Sequence, residues 1–145
     1  MPSRIARTQW SGGLNDGSGQ VEFVSSGVAA FDVSFPRRSA DDAGGVTSPE
    51  ELIAAAHSSC YCMQLSAVIG KAGGTTKSLV ADAEVSLGPD PAGGFRLTGI
   101  KLTVRGQVEG LDADGFADAA KTAKETCPVS KALTGVEITL NAALA

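Results

Sequence analysis

The sequence predicts an α+β fold, with antiparallel sheets around one buried central helix. Three observations carry this. One long stretch, Thr47 to Gly74, has no residue charged at neutral pH between Leu52 and Ile69 except what His57 carries. Short runs with period-two alternation stand on both sides of it. The elements come as three strands, a helix, two strands, a helix pair and a strand, and such grouping marks α+β rather than alternating βα units. With 145 residues, the chain is long enough to bury a core and reads as a single domain, 1–145. It has no internal repeat, low-complexity segment or interdomain linker.

Ile5 to Trp10 has weak strand character, and Ser11 to Gly19 is dense in turn residues, as in a hairpin connection. Val21, Phe23 and then Val28 to Phe35 supply two more short strands. Pro36-Arg37-Arg38 leads into a loop, Ser39 to Val46, rich in Asp, Ala and Gly. On their own, these arginines read as solvated surface residues.

The long stretch opens as a helix should. Ser48 suits the N-cap, Pro49 the first helical position and Glu51 a capping box. Glu50 and Glu51 put negative charge at the positive end of the helix dipole. Lys71 and Gly73-Gly74 supply the stop. Apolar residues on every face predict a helix buried nearly all round. His57, Ser58, Ser59, Gln64 and Ser66 argue against a membrane span.

Beyond it, Leu79, Ala81, Ala83, Val85 and Leu87 alternate with Val80, Asp82, Glu84 and Ser86, a half-buried strand. Gly88 to Gly94 is a turn. The strand from Phe95 to Val108 changes phase, odd at Phe95 and Leu97, even from Ile100 to Val108, which places a β-bulge at Thr98-Gly99. Asp112 or Asp114 caps a helix from Phe116 to about Glu125, with Phe116, Ala120 and Ala123 inward. Pro128 then starts a short helix to Leu133 with Cys127 at its cap, and Val136 to Leu140 is a final strand.

The net charge of −4 and scattered basic residues exclude a nucleic-acid or anionic-membrane surface. The first ten residues have no apolar run of signal-peptide length, so the expected compartment is the cytoplasm, where thiols stay reduced. Three cysteines cannot all pair within one chain. One histidine and an unmatched Cys60-x-Cys62 make a poor metal site. Cys60, at the centre of a buried helix, is either an apolar filler or a reactive thiol. Cys127 is either an inert cysteine at a helix junction or a thiol whose ionised form the helix N-terminus favours. A helix apolar on all sides needs more cover than one small sheet provides, so a dimer is expected.

The run Ser48-Pro49-Glu50-Glu51-Leu52-Ile53-Ala54-Ala55-Ala56-His57-Ser58-Ser59-Cys60, followed by Met63, resembles the central-helix signature of the OsmC/Ohr family. Cys127-Pro128-Val129-Ser130 resembles its second cysteine motif, and Ile53 and His57 resemble the OsmC branch. The resemblance covers essentially the whole chain. It implies an OsmC-like fold, an intertwined homodimer with active sites at its interface, and thiol-dependent reduction of organic hydroperoxides by a thiol or dithiol reductant. It implies no metal and no bound cofactor. By resemblance Cys60 is the peroxidatic thiolate and Cys127 the resolving thiol, and Glu50 holds an arginine supplied by the partner subunit. Arg38 fits that arginine best, Arg37 remains an alternative, and the loop after them is longer than the family pattern. Cys62 stands where the family more often has serine. It points about 200° away from Cys60 on a helix, as a packing residue.

Chemistry agrees with these roles. A buried thiol resists ionisation and needs a nearby cation. Arginine stays charged when buried and can stabilise the departing alkoxide, while a carboxylate holds it. The sulfenic acid left on one thiol condenses with a second to a disulfide. An apolar surround would favour organic peroxides.

One expectation concerns helix geometry. On a continuous helix Glu50 and Cys60 lie about 15 Å apart and differ in direction by roughly 80°. One arginine cannot touch both. Either the helix breaks near Ala55 to Ser59, with His57-Ser58-Ser59 the expected place, or Glu50 serves only the cap. Two other functions fit the same residues: a dimer that binds a small apolar ligand with both cysteines merely packed, and a redox sensor. An enzyme would lose two thiols to stoichiometric peroxide, whereas a binder would lose none. Nothing basic or helix-turn-helix-like supports a DNA output for a sensor.

Overall fold

Turn residues set the pairing at the N-terminal end. In the computed structural model, which describes residues 1–145, β1 (Arg7–Ser11), β2 (Ser18–Glu22) and β3 (Ala30–Val33) form an antiparallel sheet in that order. Trp10 stands opposite Gly19, and Val21 opposite Phe31. The β1–β2 connection closes on Asp16, whose carboxylate accepts the Gly13 N–H at 2.9 Å. Gly12 there has φ +91°, a left-handed value open to glycine. Val21 is buried, but Trp10 and Leu14 keep 44% and 59% of their surface exposed.

The strand expected to run from Val28 to Phe35 spans only Ala30–Val33, and Phe35 with the Pro36-Arg37-Arg38 lead into the loop forms one helical turn, α1 (Phe35–Arg38). Ser34 is extended and accepts the Arg37 N–H, and Pro36 supplies a fixed helical φ. A single turn is too short to show a 3.6-residue period, which is why the sequence pattern missed it.

The central helix, α2 (Pro49–Lys71), has the expected ends. Ser48 Oγ accepts the Glu51 N–H at 3.2 Å, while the Glu51 carboxylate accepts the Thr47 hydroxyl at 2.6 Å, so only half of the capping box closes. At the other end the Gly73 and Gly74 N–H groups donate to Gly70 and Ile69 carbonyls, a Schellman ending with Gly73 at φ +88°. The helix is unbroken. Ser58 and Ser59 hydroxyls bond back to the carbonyls of Ala55 and Ala56 without interrupting it, which corrects the expected break.

Burial of α2 also differs from expectation. Within one chain it buries an edge, His57, Tyr61, Leu65 and Ile69, while Ala55, Ala56, Ser59, Met63, Ser66, Ala67 and Gly70 stay exposed. One sheet can cover only one face. The helix is long and apolar enough to span a bilayer, yet that edge is packed in protein core.

The chain divides into two compact units, Met1–Leu52 and Ile53–Ala145. In the second, β4 (Thr75–Pro89) and β5 (Phe95–Glu109) form a long antiparallel hairpin. Ser86 pairs with Gly99 and Leu87 with Leu97, so Thr98 is the extra residue of the expected bulge. A second irregularity, at Lys77, has no counterpart in the sequence pattern. Asp112 caps α3 (Ala113–Thr126), accepting the Gly115 N–H at 2.8 Å, and α4 (Pro128–Ala132) follows directly. β6 (Ile138–Leu144) then pairs parallel with β5, so this sheet is mixed rather than purely antiparallel. A helical crossover returns the chain to the end at which β5 began, and that makes the pairing parallel.

The core joins Tyr61, Leu65 and Ile69 of α2, Leu102 and Val104 of β5, and Phe116, Ala120 and Ala123 of α3. Gly106 opens the space into which Phe116 packs: a Cβ there would lie 2.9 Å from both the ring and Leu79. Gly106→Ala therefore overpacks the core and costs about 1–3 kcal/mol. The expected observation is a lower urea midpoint at unchanged m-value, and a midpoint equal to wild type would show that the ring yields.

Candidate active site

Two thiols far apart in sequence meet in the second unit. Cys60 lies midway along α2 and Cys127 is the N-cap of α4, and their sulfurs are 3.3 Å apart with both cysteines reduced. Cys127 is fully buried and Cys60 half-buried. Proline at 128 disfavours helical backbone at the residue before it. Cys127 is accordingly extended, at φ −60° and ψ 125°, ending α3 and opening α4. Its side chain makes no capping bond, which leaves the thiol facing Cys60.

A ladder of polar contacts holds this junction to α2. The Val129 backbone N–H donates to the Cys60 sulfur. His57 Nε2 and Ser130 Oγ are 2.7 Å apart. Gln64 Nε2 donates to Thr126 Oγ1 at 2.8 Å, and Tyr61 donates its hydroxyl to the Ala120 carbonyl at 2.9 Å. Sequence reasoning had placed Cys60 and Cys127 but missed Val129 and the role of Ser130. One signal was available: His57 precedes Cys60 by the same interval at which Ser130 follows Cys127.

Burial pushes the Cys60 thiol pKa up, the Val129 N–H opposes this by favouring the thiolate, and Cys127 adds to the rise. Cys60 within one chain thus resists ionisation. Cys62 is half-buried, its thiol also pushed up by burial. His57 is held below its ordinary pKa by burial, and its Nδ1 has no hydrogen-bond partner. No group of three or more His, Cys, Asp or Glu side chains is arranged to hold a metal ion.

In the first unit Arg38 Nε donates to both Glu50 oxygens, at 3.0 and 3.2 Å, and its Nη2 donates to Oε1 at 2.7 Å. This forked pair fixes the guanidinium plane. Glu50 is 8% exposed, Arg38 half-buried and Arg37 exposed, so of the two arginines Arg38 is the one Glu50 holds. Arg38 also borders an apolar groove of about 440 Å³ lined by Trp10, Leu14, Val33, Phe35 and Leu52.

The family described as OsmC-like protein matches residues 41–141. Peroxiredoxin OsmC of Escherichia coli (strain K12) is 39% identical over 135 residues, covering 93% of this chain and 92% of that protein. The organic hydroperoxide resistance protein OhrA of Bacillus subtilis (strain 168) is 34% identical over 99 residues, 67% of each chain. The crystal structure of an organic hydroperoxide resistance protein OsmC from Legionella pneumophila superposes with a TM-score of 0.79 at 30% identity, over 99% of this chain and 98% of that one. The chain belongs to the OsmC/Ohr family.

His57 is the only histidine of the chain, which allows a clean test of its burial. Its folded pKa lies below the unfolded one. The unfolded chain therefore binds the extra proton first as pH falls through about 6.5, and stability falls with it. Between pH 7.5 and 5.5 the wild type should lose thermal stability more steeply than His57→Gln. Parallel slopes would mean that His57 titrates in the fold as it does when unfolded.

Proposed function

We propose that the protein is a thiol-dependent peroxidase that reduces organic hydroperoxides, and hydrogen peroxide more weakly. The observation that carries this reading is the 3.3 Å approach of Cys60 and Cys127. Relatives named peroxiredoxin and organic hydroperoxide resistance protein support the same class of chemistry.

The Cys60 thiolate attacks the outer oxygen of ROOH. The O–O bond breaks, the sulfur is oxidised to Cys60–SOH, and the departing alkoxide takes a proton and leaves as ROH. The Cys127 thiol then attacks the sulfenic sulfur. It loses its proton, the hydroxyl leaves as water, and a Cys60–Cys127 disulfide remains. A thiol or dithiol reductant donates two electrons and two protons to restore both thiols. No cofactor is required.

Cys60 needs a cation to ionise, and an unbroken helix puts it about 15 Å from Glu50 of its own chain. The reading therefore assigns the cation to the partner subunit's Arg38, held by the partner subunit's Glu50, in a homodimer with its sites at the interface. The exposed small-residue face of α2 and the exposed Trp10 and Leu14 favour such a partner, because apolar surface of this extent is costly in water. The groove beside Arg38 suits the organic part of the substrate, with the guanidinium beside the O–O bond. The reading places the reaction in the cytoplasm, with no nucleic-acid or membrane partner.

Thiol counting after one equivalent of cumene hydroperoxide tests the assignment. Wild type should lose two of its thiols per subunit, Cys127→Ser one and Cys60→Ser none. Turnover of Cys60→Ser at the wild-type rate would falsify the assignment. The arginine is tested by alkylation of Cys60 across pH. Arg38→Ala should move the profile to higher pH and slow peroxide reduction by about 10²-fold or more, whereas Arg37→Ala should resemble wild type.

A further inference from the structure

Two polar bonds bracket Cys127. On one side Gln64 of α2 holds Thr126, whose hydroxyl donates in turn to the Thr122 carbonyl at 2.7 Å. On the other, His57 of α2 holds Ser130, one turn into α4, at 2.7 Å. The His57–Ser130 bond is fully shielded, with His57 at 0% and Ser130 at 4% exposure. A bond so shielded does not exchange with water, and leaving one member unpaired there is costly. His57 carries a further cost, because its Nδ1 is buried with no partner. An apolar side chain would fill the same volume without it, so packing alone does not account for an imidazole at this position.

We propose that His57 and Ser130 form a positioning clamp for the resolving step. The clamp keeps α4 seated on α2, so that the Cys127 sulfur stays against Cys60 while Cys60 passes from thiolate to sulfenic acid. This rests on the peroxidase reading above. The disulfide then needs sulfur to close from 3.3 Å to a bond length of about 2.05 Å, with no unfolding of the Cys127 segment. The competing reaction is attack of a second hydroperoxide on Cys60–SOH, giving Cys60–SO₂H and a second ROH, which disables the thiol. Resolution within one subunit does not depend on peroxide concentration, whereas overoxidation does. The clamp thereby sets the peroxide concentration at which the protein is inactivated. Neither side chain is assigned contact with the peroxide, so both act through Cys127 and the Val129 N–H.

The test compares wild type, Ser130→Ala, Ser130→Thr and His57→Leu. Each is exposed to increasing cumene hydroperoxide, and mass spectrometry reads the ratio of disulfide to sulfinic acid at Cys60. For Ser130→Ala and His57→Leu, the peroxide concentration that overoxidises half of Cys60 should fall at least tenfold. Ser130→Thr, which keeps the hydroxyl, should restore most of the loss. Urea midpoints separate positioning from general stability: each single deletion leaves one buried polar partner unpaired and should lower the midpoint, whereas the double variant His57→Leu/Ser130→Ala removes both partners and should recover it, yet overoxidise as readily as the single variants. If the wild type forms no Cys60–Cys127 disulfide, the peroxidase reading fails and the clamp with it. If the wild type forms it and the variants share its overoxidation curve, only the clamp is overturned.

Discussion

Everything at the thiol pair depends on one turn of helix being matched to another. The turn from His57 to Cys60 on α2 and the segment from Cys127 to Ser130 meet at both ends, through the two sulfurs and through the imidazole and hydroxyl. A single contact would leave the short α4 free to pivot. Two contacts about a helical turn apart fix its orientation as well as its distance. The core supports this, because Phe116, Ala120 and Ala123 bring α3 onto the same surface and so deliver Cys127 to its place. Small alanines allow that approach, and Gly106 receives the ring of Phe116.

The charges follow a different logic from the thiols. A half-buried sulfur loses solvation that its ionised form needs, and one backbone N–H returns only part of it. A guanidinium is the suitable counterion, since it remains protonated in any environment the fold can offer. Arg38 is held on one side by a buried carboxylate, yet Nη1 is not engaged by Glu50. A paired arginine of this kind has its position fixed while retaining donors for a second acceptor.

Much of this was legible in the sequence wherever the determinants were local. Ser48 and Gly73-Gly74 marked the ends of α2, alternation marked β4, a phase change marked Thr98, and Pro128 marked the junction that makes Cys127 a cap. Cys60, Cys127 and Arg38 were singled out through motif resemblance. What escaped were features decided by tertiary context. α1 is too short for periodicity, and the parallel pairing of β6 depends on how a crossover lies on a sheet. The all-round apolarity of α2 was real, but its burial depends on what surrounds it, and one chain covers one edge. The expected break at His57-Ser58-Ser59 shows the limit of local preference. Serine hydroxyls can compete for backbone carbonyls, yet here they bond within the helix and leave it whole.

The 67-residue separation of the two thiols has a thermodynamic side. A covalent link between them closes a loop that contains all of β4, β5 and α3. On the chain-entropy argument, such a link removes disorder from the unfolded chain equivalent to about 4 kcal/mol. That is comparable to a large share of the whole stability of a domain this size. Oxidation at this site therefore changes more than two sulfur atoms: it tightens the whole second unit against unfolding. The chain with both thiols reduced is the looser of the two states, and the chain with the two sulfurs linked is the one that resists heat and proteases.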